Sequence, residues 1–223
     1  MSTPRSTPAM RLTGPGGKPI LAMRTGLVRL TFAKLFTPVQ KTNDDKTPMV
    51  DAEGKPVMQW QTGLIIPKHE TETLRILREI MTEAARGKWG DKVPAGCMKG
   101  LRDGNSDEAA LLDPLDPSKG VKEELKDCFW INANSSIRPK VFNNEKDEFT
   151  NAFKELTQDE IKSGDWVRVQ LNVFAYDTPK KKGIGFGFNG VQLIKVGEAL
   201  ATGREVNMAA FDDDTEMANA FGS

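Results

Sequence analysis

Apolar and polar residues alternate with a period of two in five segments, the pattern of β-strands that bury one face. The clearest alternation covers residues 165–177, and the others cover 25–36, 57–66, 128–135 and 183–196. In one further segment, 70–86, apolar residues recur every three to four positions, which predicts a helix. Five strands and one main helix predict an all-β fold. A partly open five-stranded oligonucleotide-binding (OB) barrel fits better than a sandwich, which needs about seven strands.

The remaining segments divide the chain into three parts. Residues 1–20 are basic and rich in Ser, Thr, Pro and Gly, which predicts a flexible N-terminal arm. Residues 21–200 are expected to form the barrel domain, and 201–223 a disordered acidic tail. Within the domain, 88–126 is rich in Gly and Pro and predicts a long loop insertion. Residues 145–163 are expected to hold one or two short helices.

The two faces of the 165–177 strand differ in chemistry. Its odd positions from Val167 to Ala175 are all apolar, whereas its even positions are Trp166, Arg168, Gln170, Asn172, Phe174 and Tyr176. Aromatic rings on which bases stack, next to cations for phosphates, are what single-stranded nucleic acid requires, and each stack contributes about 1–3 kcal/mol. The alternative is that Phe174 and Tyr176 pack beneath the helix or the long loop.

Two other predicted strands repeat this arrangement. Trp130, Asn132 and Asn134 lie opposite an apolar face, and in the first strand Arg29 and Thr31 lie opposite Val28, Leu30 and Phe32. A lysine-rich turn joins the last two strands, although such a turn also serves solubility. The predicted DNA-binding residues are Arg29, Trp130, Arg138, Lys140, Trp166, Arg168, Phe174, Tyr176, Lys180, Lys181 and Lys182.

The glycines at 185, 187 and 190 match the spacing of a dinucleotide-binding loop. That loop lies between a strand and a helix, whereas strand pattern continues here through 191–194. The glycines therefore predict a bulge and a close approach to a neighbouring segment.

Charge is distributed unevenly along the chain. Its 31 basic and 31 acidic residues give a net charge of zero, which by itself argues against a nucleic-acid-binding protein. However, residues 1–43 contain seven bases and no acid, and 197–223 carry a net charge of −5. The acidic end predicts either a solvated tail or a segment that partners bind and that competes with DNA. The residues of this predicted tail site are Phe211, Asp212, Asp213, Asp214, Glu216 and Phe221.

Enzymatic chemistry has little support in this sequence. His69 is the single histidine, so neither a histidine metal cluster nor a triad with a second histidine can form. We expect no catalytic residues, no metal site and no cofactor. A carboxylate-only Mg²⁺ nuclease stays formally open, and so does a protein-interaction or structural phage module whose aromatic face binds another protein.

Several segments resemble the single-stranded DNA-binding proteins of tailed bacteriophages, the OB-fold group typified by the podophage replication protein. The resemblance rests on LRDGN, FWINA, SGDWVR, NVFAY and KGIGFGFNGVQ at 101–105, 129–133, 163–168, 172–176 and 182–192. It implies a protein that coats single-stranded DNA (ssDNA) in phage replication, recombination and repair, in the cytoplasm of the infected bacterium. It also implies that the tail recruits replication proteins such as the polymerase and the helicase–primase. No membrane association is expected, and self-association stays open.

Overall fold

A computed structural model of the chain describes residues 8–43, 45–97 and 100–200. The elements are β1 (Met10–Thr13), β2 (Pro19–Arg24), β3 (Val28–Gln40), β4 (Met58–Pro67), α1 (Thr71–Trp89), β5 (Arg102–Asp103), β6 (Cys128–Ser135), β7 (Lys140–Lys146), β8 (Phe153–Glu155), β9 (Trp166–Asp177) and β10 (Lys182–Lys195). The five predicted strands are present as β3, β4, β6, β9 and β10, and the predicted helix is α1.

Five of these strands close into a ring. β3 pairs with β4, β4 with β6, β6 in parallel with β10, β10 with β9, and β9 with β3. In chain order this is first, second, third, fifth, fourth and back to the first, which is the pairing of an OB barrel. The all-β OB prediction is confirmed, and β1, β2, β7 and β8 extend the sheet beyond the ring.

The core follows the alternation in the sequence. Val167, Val169 and Leu171 of β9 are fully buried and pack in one cluster with the apolar side of α1, which includes Leu77 and Ile80. Each such side chain contributes about 1.5–3 kcal/mol when it leaves water. Within the described part of the chain, no helix has the length and apolar character needed to cross a membrane.

Three predictions of local structure are wrong in whole or in part. The arm expected to be flexible over 1–20 contains β1 and the start of β2, because Arg11 of β1 pairs with Glu83 of α1 and β2 pairs with β9; residues 1–7 lie outside the described range. Of the one or two short helices expected within 145–163, one is present as a turn of 3₁₀-helix over Gln158–Glu160 with the predicted Thr157–Glu160 capping box, and β8 takes the place of the other. The third correction concerns Phe32, which is exposed rather than buried.

Phe32 leaves the core because β3 contains a bulge. The register between β3 and β4 shifts between Thr31 and Lys34, so two residues of β3 lie opposite Thr62 alone. Phe32 itself adopts a left-handed backbone conformation with a φ of 48°. The inward and outward positions are therefore offset after the bulge, and the alternation predicted from the sequence does not hold at this residue.

Candidate nucleic-acid interface

The outward side of β9 lies against a strip of glycines on β10. Tyr176, Phe174, Asn172 and Gln170 stand opposite Gly183, Gly185, Gly187 and Gly190, respectively. β10 therefore contributes no side chain to this part of the sheet surface, which we term the β9–β10 face. The missing side chains leave room for neighbouring side chains of β9 to lie close to the β10 backbone.

Two of these glycines, Gly185 and Gly187, are required by the side chains that lie over them. A Cβ atom at Gly185 would lie 2.7 Å from the Cε2 and Cζ atoms of Phe174, and one at Gly187 would overlap the amide of Asn172. Phe174 thus lies across β10 while 47% of its surface stays exposed. Both predictions for these glycines are confirmed, because β10 also has a register shift between Phe188 and Gly190.

Cations flank the β9–β10 face. Lys140 of β7 stands opposite Gly190, and Arg24 of β2 stands opposite Gln170. Arg168 lies two residues before Gln170, on the same side of β9, and is half-buried. Burial and the neighbouring Arg24 guanidinium lower the pKa of Arg168, but a guanidinium stays protonated at neutral pH. Positive charge therefore lines the face even though the whole chain is neutral.

A row of amide side chains crosses the barrel from this face. Asn172 of β9 stands opposite Gly187, Gly187 opposite Asn134 of β6, Asn134 opposite Gln61 of β4, and Gln61 opposite Lys34 of β3. We term these five positions the amide row. Amides both donate and accept hydrogen bonds, so the row can bind base edges and phosphates alike.

A second row crosses β9, β3, β4 and β6 nearer their other ends and continues to β5. Trp166 of β9 stands opposite Arg29, Arg29 opposite Ile65, Ile65 opposite Trp130, and Trp130 opposite Arg102. The Cζ atom of Arg102 lies 4.0 Å from the centre of the Trp130 ring. We term these positions the tryptophan row, and it brings together three of the residues predicted from the sequence.

The tryptophan row lies beneath a segment that follows β10. Arg29 donates hydrogen bonds to the backbone oxygens of Gly164 at 3.1 Å and of Glu198 at 2.9 Å. Leu200 and Trp130 both pack against the buried cluster of Ile65, Ala110 and Leu125. We term residues 196–200 the C-terminal strap. Arg29, Trp130 and Trp166 are consequently half-buried and engaged in contacts within the chain.

Other predicted site residues lie in the connections between strands or at a strand end, outside both rows. Arg138 is exposed in the β6–β7 connection, and Lys180 and Lys181 are exposed in the β9–β10 turn. Lys182 forms an ion pair of 3.3 Å with Asp177. The hydrogen bond from the Trp89 indole, followed by the effect of Lys182, lowers the pKa of Asp177. The predicted tail residues Phe211, Asp212, Asp213, Asp214, Glu216 and Phe221 lie outside the described residues.

A groove of about 1330 Å³ continues from the β9–β10 face. Phe174, Tyr176 and Asn134 line one side, and Arg78 and Arg86 of α1 line another. Neither arginine is predicted from the sequence as a site residue, because their helical positions are those of an ordinary solvated surface. Lys34 and Gln61 are not predicted either, because strand register is not visible in a single sequence. Among the described residues, no group of three or more His, Cys, Asp or Glu side chains could hold a metal ion.

A closed OB barrel with an exposed aromatic and amide surface defines a protein of the class that binds single-stranded nucleic acid. Comparison with known sequences identifies the family. The model of the family described as "Enterobacter phage Enc34, ssDNA-binding protein" matches residues 21–221, and the chain belongs to this family. The resemblance to phage ssDNA-binding proteins is thereby confirmed.

Individual proteins are similar to this chain in fold or in sequence. The ssDNA-binding protein of bacteriophage Enc34, solved in complex with ssDNA, superimposes with a TM-score of 0.60 at 21% identity, covering 81% of this chain and 90% of that one. Bacteriophage T7 gp2.5, a single-stranded DNA-binding protein, gives a TM-score of 0.50 at 10% identity over 82% and 91% of the two chains. Putative protein p50 of Acyrthosiphon pisum secondary endosymbiont phage 1 is 24% identical over 196 residues, covering 83% of this chain and 90% of its own length.

Proposed function

We propose that this protein binds single-stranded DNA without sequence preference, through the β9–β10 face and the amide row. The observation that carries the proposal is the arrangement of Phe174 and Tyr176 over a glycine floor, with Lys140 and Arg168 beside it. Bases stack on exposed rings whatever their identity, and cations neutralise phosphates. The Enc34 relative, which was solved with ssDNA, supports the same ligand for this barrel.

The proposed biological role is to coat and protect ssDNA during phage DNA replication, recombination and repair, in the cytoplasm of the infected bacterium. This role is one of binding and not of catalysis. We further propose a division into a barrel domain that includes β1 and β2 and ends near residue 200, and an acidic tail over 201–223. The tail would recruit replication proteins, including the polymerase and the helicase–primase, and compete with DNA for the cationic surface. The net charge of −5 over 197–223 supports this competition.

Fluorescence anisotropy of a labelled oligo-dT tests the proposal. Phe174→Ala should weaken binding about 5- to 150-fold, the equivalent of the roughly 1–3 kcal/mol of one base stack. Phe149→Ala is the matched control, because Phe149 is 96% exposed but lies between β7 and β8, away from the proposed interface. The control should bind like the unsubstituted protein.

The same titration separates the alternatives. If the unsubstituted protein does not bind oligo-dT at low salt, the proposal is wrong and a protein-binding module is favoured. If the oligonucleotide is degraded when Mg²⁺ is added, the chain is a nuclease. Equal losses of affinity in Phe174→Ala and Phe149→Ala would place the interface elsewhere.

A further inference from the structure

Phe32 combines two features that lower stability. Its φ of 48° lies in the left-handed region, where the Cβ atom of a bulky residue is crowded by the backbone. Its side chain is also 65% exposed, so burial in the core does not compensate for the strain. Strained backbone at an exposed aromatic residue is a feature of binding sites, where the conformation serves to present the side chain.

The position of Phe32 relates it to the proposed interface. It belongs to the bulge that ends at Lys34, and Lys34 is the β3 member of the amide row. The other end of that row is Asn172 of β9, two residues before Phe174. From β9 to β3 the row crosses β10, β6 and β4, and strands in a sheet lie about 4.8 Å apart, so the row is about 19 Å long when it is measured along the curved sheet. An exposed phenylalanine therefore stands near each end of the amide row.

Neighbouring side chains on β3 and β4 leave the β3 end of the amide row accessible to a ligand. Thr31, just before the bulge, lies flat against Gly63, where an added Cβ atom would meet the Thr31 methyl group. Gln61 is half-buried and Lys34 is exposed, so the Lys34 ammonium can reach a phosphate beside the ring. The ring, the cation and the amides thus offer the same chemistry as the β9–β10 face.

We propose that Phe32 is a second base-stacking platform, and that the DNA strand crosses the barrel along the amide row from Phe174 to Phe32. This inference rests on the proposed function, since it assigns the path of the same ligand. The bulge and the left-handed backbone then serve to hold the ring outside the barrel. Lys34 neutralises a phosphate of the nucleotide that stacks there.

Variants of Phe32 separate the contribution of its ring to DNA binding from its effect on the stability of the fold. Glycine adopts a left-handed conformation without strain, so Phe32→Gly should raise the melting temperature by a few degrees. It should also weaken oligo-dT binding about 5- to 150-fold, through loss of one stack. Phe32→Tyr keeps an aromatic ring and should bind like the unsubstituted protein, as should the control Phe149→Ala.

Each outcome of this experiment is decisive. A Phe32→Gly protein that is more stable but binds more weakly, with Phe32→Tyr unaffected, supports the inference. Unchanged affinity in Phe32→Gly overturns it, while weak binding by Phe174→Ala in the same series leaves the proposed function standing. Failure of the unsubstituted protein to bind oligo-dT defeats the proposed function itself.

Discussion

Gly185 gives the sharpest test of how the β9–β10 face is built. In Gly185→Ala, the new methyl group would lie 2.7 Å from two ring carbons of Phe174, whereas ordinary contacts begin at 3.4 Å. The ring must therefore withdraw by about 0.7 Å or rotate. Gly185 does not have a positive φ, so alanine fits its backbone and the perturbation is confined to the ring.

We expect Gly185→Ala to lower the affinity for DNA and to change the stability of the fold little. The Phe174 ring is half-exposed and can leave its present rotamer for about 0.5–1.5 kcal/mol, so the melting temperature should change little. A displaced ring loses up to the full stack, about 1–3 kcal/mol, and oligo-dT affinity should fall by up to about 150-fold. Anisotropy titrations and thermal unfolding measure the two quantities on the same samples.

A double-mutant cycle identifies the cause. If Gly185→Ala acts by moving the ring, it should have little further effect in a Phe174→Ala background. Gly87→Ala is the matched control, because Gly87 lies in α1 with open space around it; this change should raise stability without altering affinity. An equal loss of affinity with and without the Phe174 ring would refute the reasoning.

Three further predictions follow from other parts of the molecule. Deletion of 211–223 should tighten oligo-dT binding and steepen its dependence on salt concentration, because a competitor for the cationic surface is removed. Trp166→Ala should lower the melting temperature by more than Tyr176→Ala does, because Trp166 lies beneath the C-terminal strap. Lys68, followed by the Asn105 N–H, lowers the pKa of Asp103. Its contribution to stability is present above about pH 4 and lost as pH falls through that lowered pKa, so Asp103→Asn should melt with a weaker dependence on acid pH.

Each of these has a clear contrary result. Weaker DNA binding after the deletion would exclude competition by the tail. Equal melting temperatures for the two aromatic variants would show that the strap does not stabilise the tryptophan row. If the melting temperature of Asp103→Asn depends on acid pH as strongly as that of the unsubstituted protein, other carboxylates cause the pH dependence.

The sequence predicted those parts of the site that depend on local periodicity. The outward side of β9 follows directly from alternation, so Phe174 and Tyr176 were assigned correctly to the sheet surface. The same rule failed at Phe32, because one inserted residue in β3 offsets the alternation and is not marked by a glycine.

The remaining features of the site depend on which strands pair and in what register. Arg29, Trp130 and Trp166 were each predicted to face outward, but nothing in the local pattern indicates that they form one row beneath residues 196–200. Similarly, Gln61 and Asn134 become neighbours only through the β4–β6 register. A single sequence contains no direct record of such long-range pairing.

The pairing of Arg29 with Trp166 also has a consequence for how the protein forms. The ring cannot close until β9 has been synthesised, and β10, which provides the glycine floor, comes later still. Contacts between residues so distant in the chain are slow to form, so we expect folding on the millisecond-to-second scale typical of barrels. A nascent chain therefore has no complete β9–β10 face before residue 195, and the ability to hold DNA is among the last properties that the growing chain acquires.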